Sequence, residues 1–185
     1  MSTEHDFTFG SEQHSFLTES LMSVDRSITP FLVFTGHRPM YVDSSWDGDP
    51  YSDQALGRLM RAEIEPLLLL HQVDLCMWGH HHTYQRSKPV YNTTVQAGAP
   101  THVVIGMAGY DLTHDFYPEM LPYFAFRTDK HWGYTRVRVN STHLRMQFVA
   151  DDGGDVLDDF ALKRRSAAEL SLHKANVQRP TSRDL

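Results

Sequence analysis

The chain has 185 residues, of which 41% are apolar and 22% charged, enough to bury a core and too apolar for disorder throughout. Seventeen Lys and Arg against 23 Asp and Glu give a net charge of −6, which excludes a broad basic surface for nucleic acid. No run approaches the roughly 18 apolar residues of a membrane-crossing helix, and the single cysteine, Cys76, excludes an internal disulfide framework and a Cys-rich zinc module.

Met1 to Asp6 is polar and unlike a signal peptide. Ser11 to Arg26 reads as a helix with Ser11 as N-cap and Phe16, Leu17, Leu21 and Val24 on one face. Phe31 to Phe34 reads as a buried strand that stops at Gly36-His37-Arg38-Pro39. Val42 to Ser52 is polar and predicts an exposed loop. Asp53 opens a second helix with Leu56, Leu59, Met60 and Ile64 at helical spacing, and Pro66 predicts a kink or break. Val73 to Trp78 is the second buried strand and runs into Gly79-His80-His81-His82.

Helix, strand, loop, helix, strand, loop is an α/β layer pattern with neighbouring parallel strands. The second half changes character. His102 to Ile105 reads as a strand and Asp111 to Lys130 as an irregular stretch. Tyr134 to Val139 and Leu144 to Val149 alternate around the turn Asn140-Ser141-Thr142-His143, which predicts a hairpin. Val156 to Leu162 is a last strand. From Lys163 onward the chain reads as a polar tail with a short helix near Ala167 to Leu172.

The 12 histidines carry the chemistry. Imidazole suits zinc, iron and similar cations. His80 and His82 are two apart, so in an extended loop they project to one side and His81 to the other. Gly79 is expected to make room for the turn where a Cβ would obstruct it. His37 follows the first strand as His80 follows the second, so neighbouring strands would bring the rings together at the carboxyl edge of the sheet, where sites of open α/β sheets gather. His14, His71, His102, His131 and His143 lie in or beside predicted elements and read as structural. Arg38, next to His37, reads as a salt-bridge residue.

Gly36-His37-Arg38-Pro39-Met40-Tyr41, followed by Val73-Asp74-Leu75 and Gly79-His80-His81-His82-Thr83-Tyr84-Gln85-Arg86, strongly resembles the C-terminal half of purple acid phosphatases, which are calcineurin-like metallophosphoesterases. Ser2 to Asp6, Val24-Asp25-Arg26 and Trp132-Gly133-Tyr134 share the likeness, which extends over roughly residues 1 to 160. The resemblance implies an α/β (mixed α+β) fold: half of a β-sandwich flanked by helices and ending in antiparallel strands. It divides the chain into a catalytic-domain half (1–98), a C-terminal region (99–162) and a tail (163–185). It implies a dinuclear centre of iron with zinc, manganese or a second iron. His37 and His80 would bind one metal and His82 the iron, with His81 and Arg38 at the substrate. The implied reaction is hydrolysis of phosphomonoesters by a metal-bound hydroxide, with phosphodiester or nucleotide pyrophosphate hydrolysis as the enzymatic alternative. The non-enzymatic alternative is a fragment that binds only metal or a partner.

The family's carboxylate, tyrosinate and asparagine ligands lie in motifs that this sequence lacks; its Asn residues, Asn92, Asn140 and Asn176, all follow His37. The sequons Asn92-Thr93-Thr94 and Asn140-Ser141-Thr142 point to a secreted or extracytoplasmic parent protein. The resemblance implies a phosphate ester as partner, allows a homodimer, and gives no place to nucleic acid or membrane.

Overall fold

The computed structural model describes residues 1–171. Ser11 caps α1 (Glu12–Met22) by accepting from the His14 backbone N–H. The helix stops at Ser23, one turn short of the predicted end, and buries His14, Leu17 and Leu21, while Phe16 faces solvent. Ring packing between His14 and Phe9 makes His14 part of the buried face, which hydrophobicity alone does not show.

β1 (Val33–Gly36) lies two residues later than the apolar run suggests. The chain then passes through α2 (Asp53–Glu63) and α3 (Glu65–Leu70) to β2 (Leu75–Trp78). The break falls at Ile64, and Pro66 sits in the first turn of α3, where its missing N–H costs nothing. Within the loop between β1 and α2, Val42, Asp43, Ser44 and Ser52 are buried, so only its middle is the exposed loop expected.

After β2 come β3 (Tyr84–Ser87), the small β4 (Val90–Tyr91) and β5 (Thr94–Val95) pair, β6 (Thr101–Ile105) and β7 (Phe124–Thr128). The main sheet has the order β1-β2-β6-β3-β7. β1, β2 and β6 run parallel; β3 is antiparallel to β6 and β7. The hairpin of β8 (Gly133–Val139) and β9 (His143–Ala150), continued by β10 (Val156–Lys163), forms a second, antiparallel sheet.

Residues of the main sheet alternate between two cores. Phe34, Cys76, Trp78 and Val104 meet Leu17, Leu21, Met60, Ile64 and Leu68 of the helices. Leu75, Tyr84 and Val103 meet Leu144, Met146 and Phe148 of the second sheet. The result is a helical layer and two sheets, as the mixed α/β reading expects, with both faces of β2 and β6 covered, while Val33 and Thr35 leave the second face of β1 exposed. Tyr84 stacks on Phe148 at 4.4 Å. Its hydroxyl and the Arg86 guanidinium both donate to Asp158 of β10, at 2.8 and 2.7 Å.

β6 and β7 belong to the same sheet as β1, β2 and β3, so the sheet crosses the division at residues 98 and 99. Beyond Lys163 the chain is not simply solvated. Arg165 reaches back to Asp74, Gly98 and Val73, and residues 167–171 form a helical turn. The rest of the predicted tail, 172–185, lies outside the described residues. No helix among residues 1–171 is long and apolar enough to cross a membrane.

Candidate metal centre

The register of β1 and β2 builds the site. Gly36 is paired with Trp78, so the chains leave the sheet side by side, and the Gly79 N–H donates to the His37 carbonyl at 2.8 Å. The His80 Nδ1 and the His37 Nε2 stand 3.1 Å apart, with ring centroids at 4.9 Å. The sharp turn belongs to His80 itself, at φ 62, in the left-handed region that a Cβ disfavours. A Cβ on Gly79 would meet His37 only at 3.7 Å, an ordinary contact, which corrects the expectation that Gly79 is needed for space.

Asp53, in the first turn of α2, lies behind His80. Its Oδ1 is 3.3 Å from the His80 Nε2 and accepts from the Arg38 Nη2 at 2.9 Å. Arg38 also donates to the Tyr51 carbonyl, so the salt-bridge role weighed for it is realised. Burial pushes the Asp53 carboxyl pKa up, but hydrogen bonds and charge from His80 and Arg38 outweigh that and hold it below the ordinary carboxylate range. Sequence reasoning missed Asp53. The Ser52-Asp53 helix start was legible, but nothing local showed that the carboxylate faces a ring 27 positions later.

The His82 Nδ1 is 2.9 Å from the Asp111 carbonyl, which can only accept, so the proton is on Nδ1 and the lone pair is on Nε2. Its ring meets Tyr110 edge-on. His81 is buried and turned into the fold. Its Nε2 is 3.0 Å from Asp115, and its Nδ1 lies 2.8 Å from the Thr83 hydroxyl. Gln85 donates to that same Thr83 oxygen and to the His81 Nδ1, and accepts from the Asp43 backbone. Both nitrogens of His81 are therefore taken up in a buried network that ties the His loop to β3.

Metal–nitrogen bonds of about 2.0–2.1 Å put two imidazole donors of one ion roughly 3 Å apart. The His37–His80 pair fits two ligands of one borderline cation by donor type and by spacing. Two donors do not complete a site, since catalytic zinc takes three protein ligands. Among the described residues no group of three or more His, Cys, Asp or Glu is disposed to hold a metal ion. The dinuclear centre that the resemblance implies is therefore not complete among the described residues.

Residues 99–159 match the family described as iron/zinc purple acid phosphatase-like protein C. The whole described fold matches a purple acid phosphatase from yellow lupin (Lupinus luteus) seeds, with a TM-score of 0.83 and 26% identity, over 98% of this chain and 33% of that one. The chain is thus similar, over nearly its whole length, to part of a purple acid phosphatase. It is 38% identical over 170 residues to "Probable inactive purple acid phosphatase 9" of Arabidopsis thaliana, covering 85% of this chain and 26% of that protein. It is 36% identical over 166 residues to "Acid phosphatase type 7" of Danio rerio, covering 79% and 37%. The chain thus spans well under half the length of these purple acid phosphatases, one of which carries the word inactive in its name.

Proposed function

We propose that the chain carries the imidazole half of a metallophosphoesterase site, and that the intact protein hydrolyses phosphomonoesters. The observation behind this reading is the His37–His80 pair, 3.1 Å apart at the carboxyl ends of two adjacent parallel strands. His37 and His80 would hold one cation. His82, with its lone pair on Nε2, would bind a second one once carboxylates from outside this sequence are present. The bound cations would supply Lewis-acid polarisation of the phosphoryl group. Arg38 would have a narrower role than sequence reasoning gave it. Its Nη2 is spent on Asp53 and Tyr51 and its Nε is buried without a partner, which leaves Nη1 to meet a phosphate oxygen. His81 would hold the loop in place, because neither of its nitrogens is available to substrate.

The test begins upstream of Met1. A longer open reading frame should supply Gly-Asp-x-Gly, Gly-Asp-x-x-Tyr and Gly-Asn-His-Glu motifs. The longer protein should hydrolyse an aryl phosphate, and His80→Ala should lower that rate by roughly 100-fold or more. A longer protein that has the motifs but is indifferent to His80→Ala overturns the reading. The 185-residue chain alone, loaded with Fe and Zn, should not exceed its His37→Ala control. Robust turnover lost in that control would mean that other ligands replace the missing ones.

A further inference from the structure

We propose that Asp53 is a positioning residue that locks His80 in the Nε2–H tautomer and so holds its Nδ1 lone pair toward His37. The purpose of this lock rests on the metal-site reading above, but the lock itself is a property of this chain. An ionised carboxylate accepts hydrogen bonds and donates none. The Asp53 Oδ1 lies 3.3 Å from the His80 Nε2, and the negative charge of the carboxylate favours the tautomer with its proton on that nitrogen. A neutral imidazole protonated there has its lone pair on Nδ1, the atom that faces the His37 Nε2 at 3.1 Å.

Three features make Asp53 a fixed reference. Its side chain is 2% exposed. Arg38 pins the same Oδ1 at 2.9 Å. The preceding residue, Ser52, caps α2 through the Ala55 N–H, which seats Asp53 in the first turn, where a helix favours negative charge. His80, by contrast, is a third exposed and stands on a left-handed backbone. Without the carboxylate its ring would have both rotational freedom and a choice of tautomer. A carboxylate behind a ligating histidine fixes the ring and raises its basicity.

The arrangement also defines what His37 must do. With no cation present, His37 donates its Nε2–H to His80, and the 3.1 Å contact is an ordinary hydrogen bond. To ligate, His37 has to carry its proton on Nδ1 and turn the Nε2 lone pair inward. His80 needs no such change, because Asp53 has already prepared it.

The tautomer can be read directly from ring 15N shifts of the metal-free protein at neutral pH. His80 is expected in the Nε2–H form; the Nδ1–H form overturns the proposal. Asp53→Asn should weaken Co2+ binding by roughly 10- to 100-fold in a variant that still unfolds cooperatively, and let His80 populate the Nδ1–H form. The same substitution should have no further effect on Co2+ binding in a His80→Ala background. Unchanged Co2+ affinity in a folded Asp53→Asn variant overturns the proposal. If that variant does not fold, the ring shifts of the unsubstituted protein decide alone. A protein that binds no Co2+ yet shows the Nε2–H form refutes the metal-site reading and leaves the lock standing, so the two failures are distinct.

Discussion

Gly106 and Gly79 border the same histidine loop and should respond to alanine in opposite ways. A Cβ on Gly106 would stand 2.1 Å from the His81 carbonyl oxygen and 2.7 Å from its carbon, with the His82 Cα at 3.3 Å. The obstacles are backbone atoms, so no side chain can swing away. The loop would have to retreat by roughly 1 Å or more, straining the Gly106 N–H bond to the Thr83 carbonyl that fastens it to β6. Overpacking of this kind costs about 1–3 kcal/mol, and a backbone obstacle puts it at the upper end. For a chain of this size that lowers the melting temperature by roughly 6–12 °C. The shift also carries His80 away from His37, and a misplacement of about 1 Å can cost 100-fold in a catalytic or ligand site. Gly79→Ala places its Cβ 3.7 Å from His37 and should stay within about 1 kcal/mol of the parent. Thermal unfolding and Co2+ titration of both variants make the comparison. Equal behaviour of the two, in either assay, would refute the claim that the loop is set by its contact with β6.

His102 is fully buried, and burial, with a smaller contribution from Arg61, holds its pKa at about 3. The unfolded ring titrates near about 6.5, so stability is complete above that pH and is lost as pH falls toward 3. The loss at pH 4.5 should be about 2–3 kcal/mol. His102→Gln keeps an acceptor for the Trp78 Nε1 and should flatten that slope in urea melts; an identical slope would exonerate His102. Asp158→Ala leaves the Tyr84 hydroxyl and the Arg86 guanidinium without their shared partner and should cost about 3–5 kcal/mol by urea denaturation. A loss under about 1 kcal/mol would show that the two sheets do not depend on this clamp. Ser52→Ala removes the α2 cap and should cost about 1 kcal/mol, with a parallel loss in Co2+ affinity if the cap seats Asp53.

The layer pattern and the pairing of β1 with β2 were legible because Phe31 to Phe34 and Val73 to Trp78 are apolar stretches, the second interrupted only by Asp74, that lead into Gly-His. The β8–β9 hairpin was legible because both strands alternate around Asn140, whose side chain accepts from Thr142 and His143 in the turn. β3 and β7 were not. Tyr84-Gln85-Arg86-Ser87 reads as a polar loop, and its burial depends on partners far away in sequence: Asp158 for Tyr84 and Arg86, and the Asp43 backbone for Gln85. At the site, the convergence of His37 and His80 followed from strand pairing alone. The anchor of His82 did not, because its partner is the Asp111 carbonyl in a stretch without periodicity. Asp53 was invisible for the same reason: its partner is set by where a helix begins against a loop that follows another strand.

The alternation of side chains along β2 and β6 bears on how the molecule comes apart. Cys76 and Trp78 face the helices while Leu75 faces the second sheet, and Val104 and Val103 divide in the same way. A strand whose neighbouring residues anchor opposite layers cannot release one layer and keep the other in register. The helical layer and the antiparallel sheet therefore share one opening event, and the slowest amide exchange should be common to β2 and β6 rather than split between two foldons. The imidazole pair sits at the end of that shared unit, on the part of the chain with least freedom to breathe.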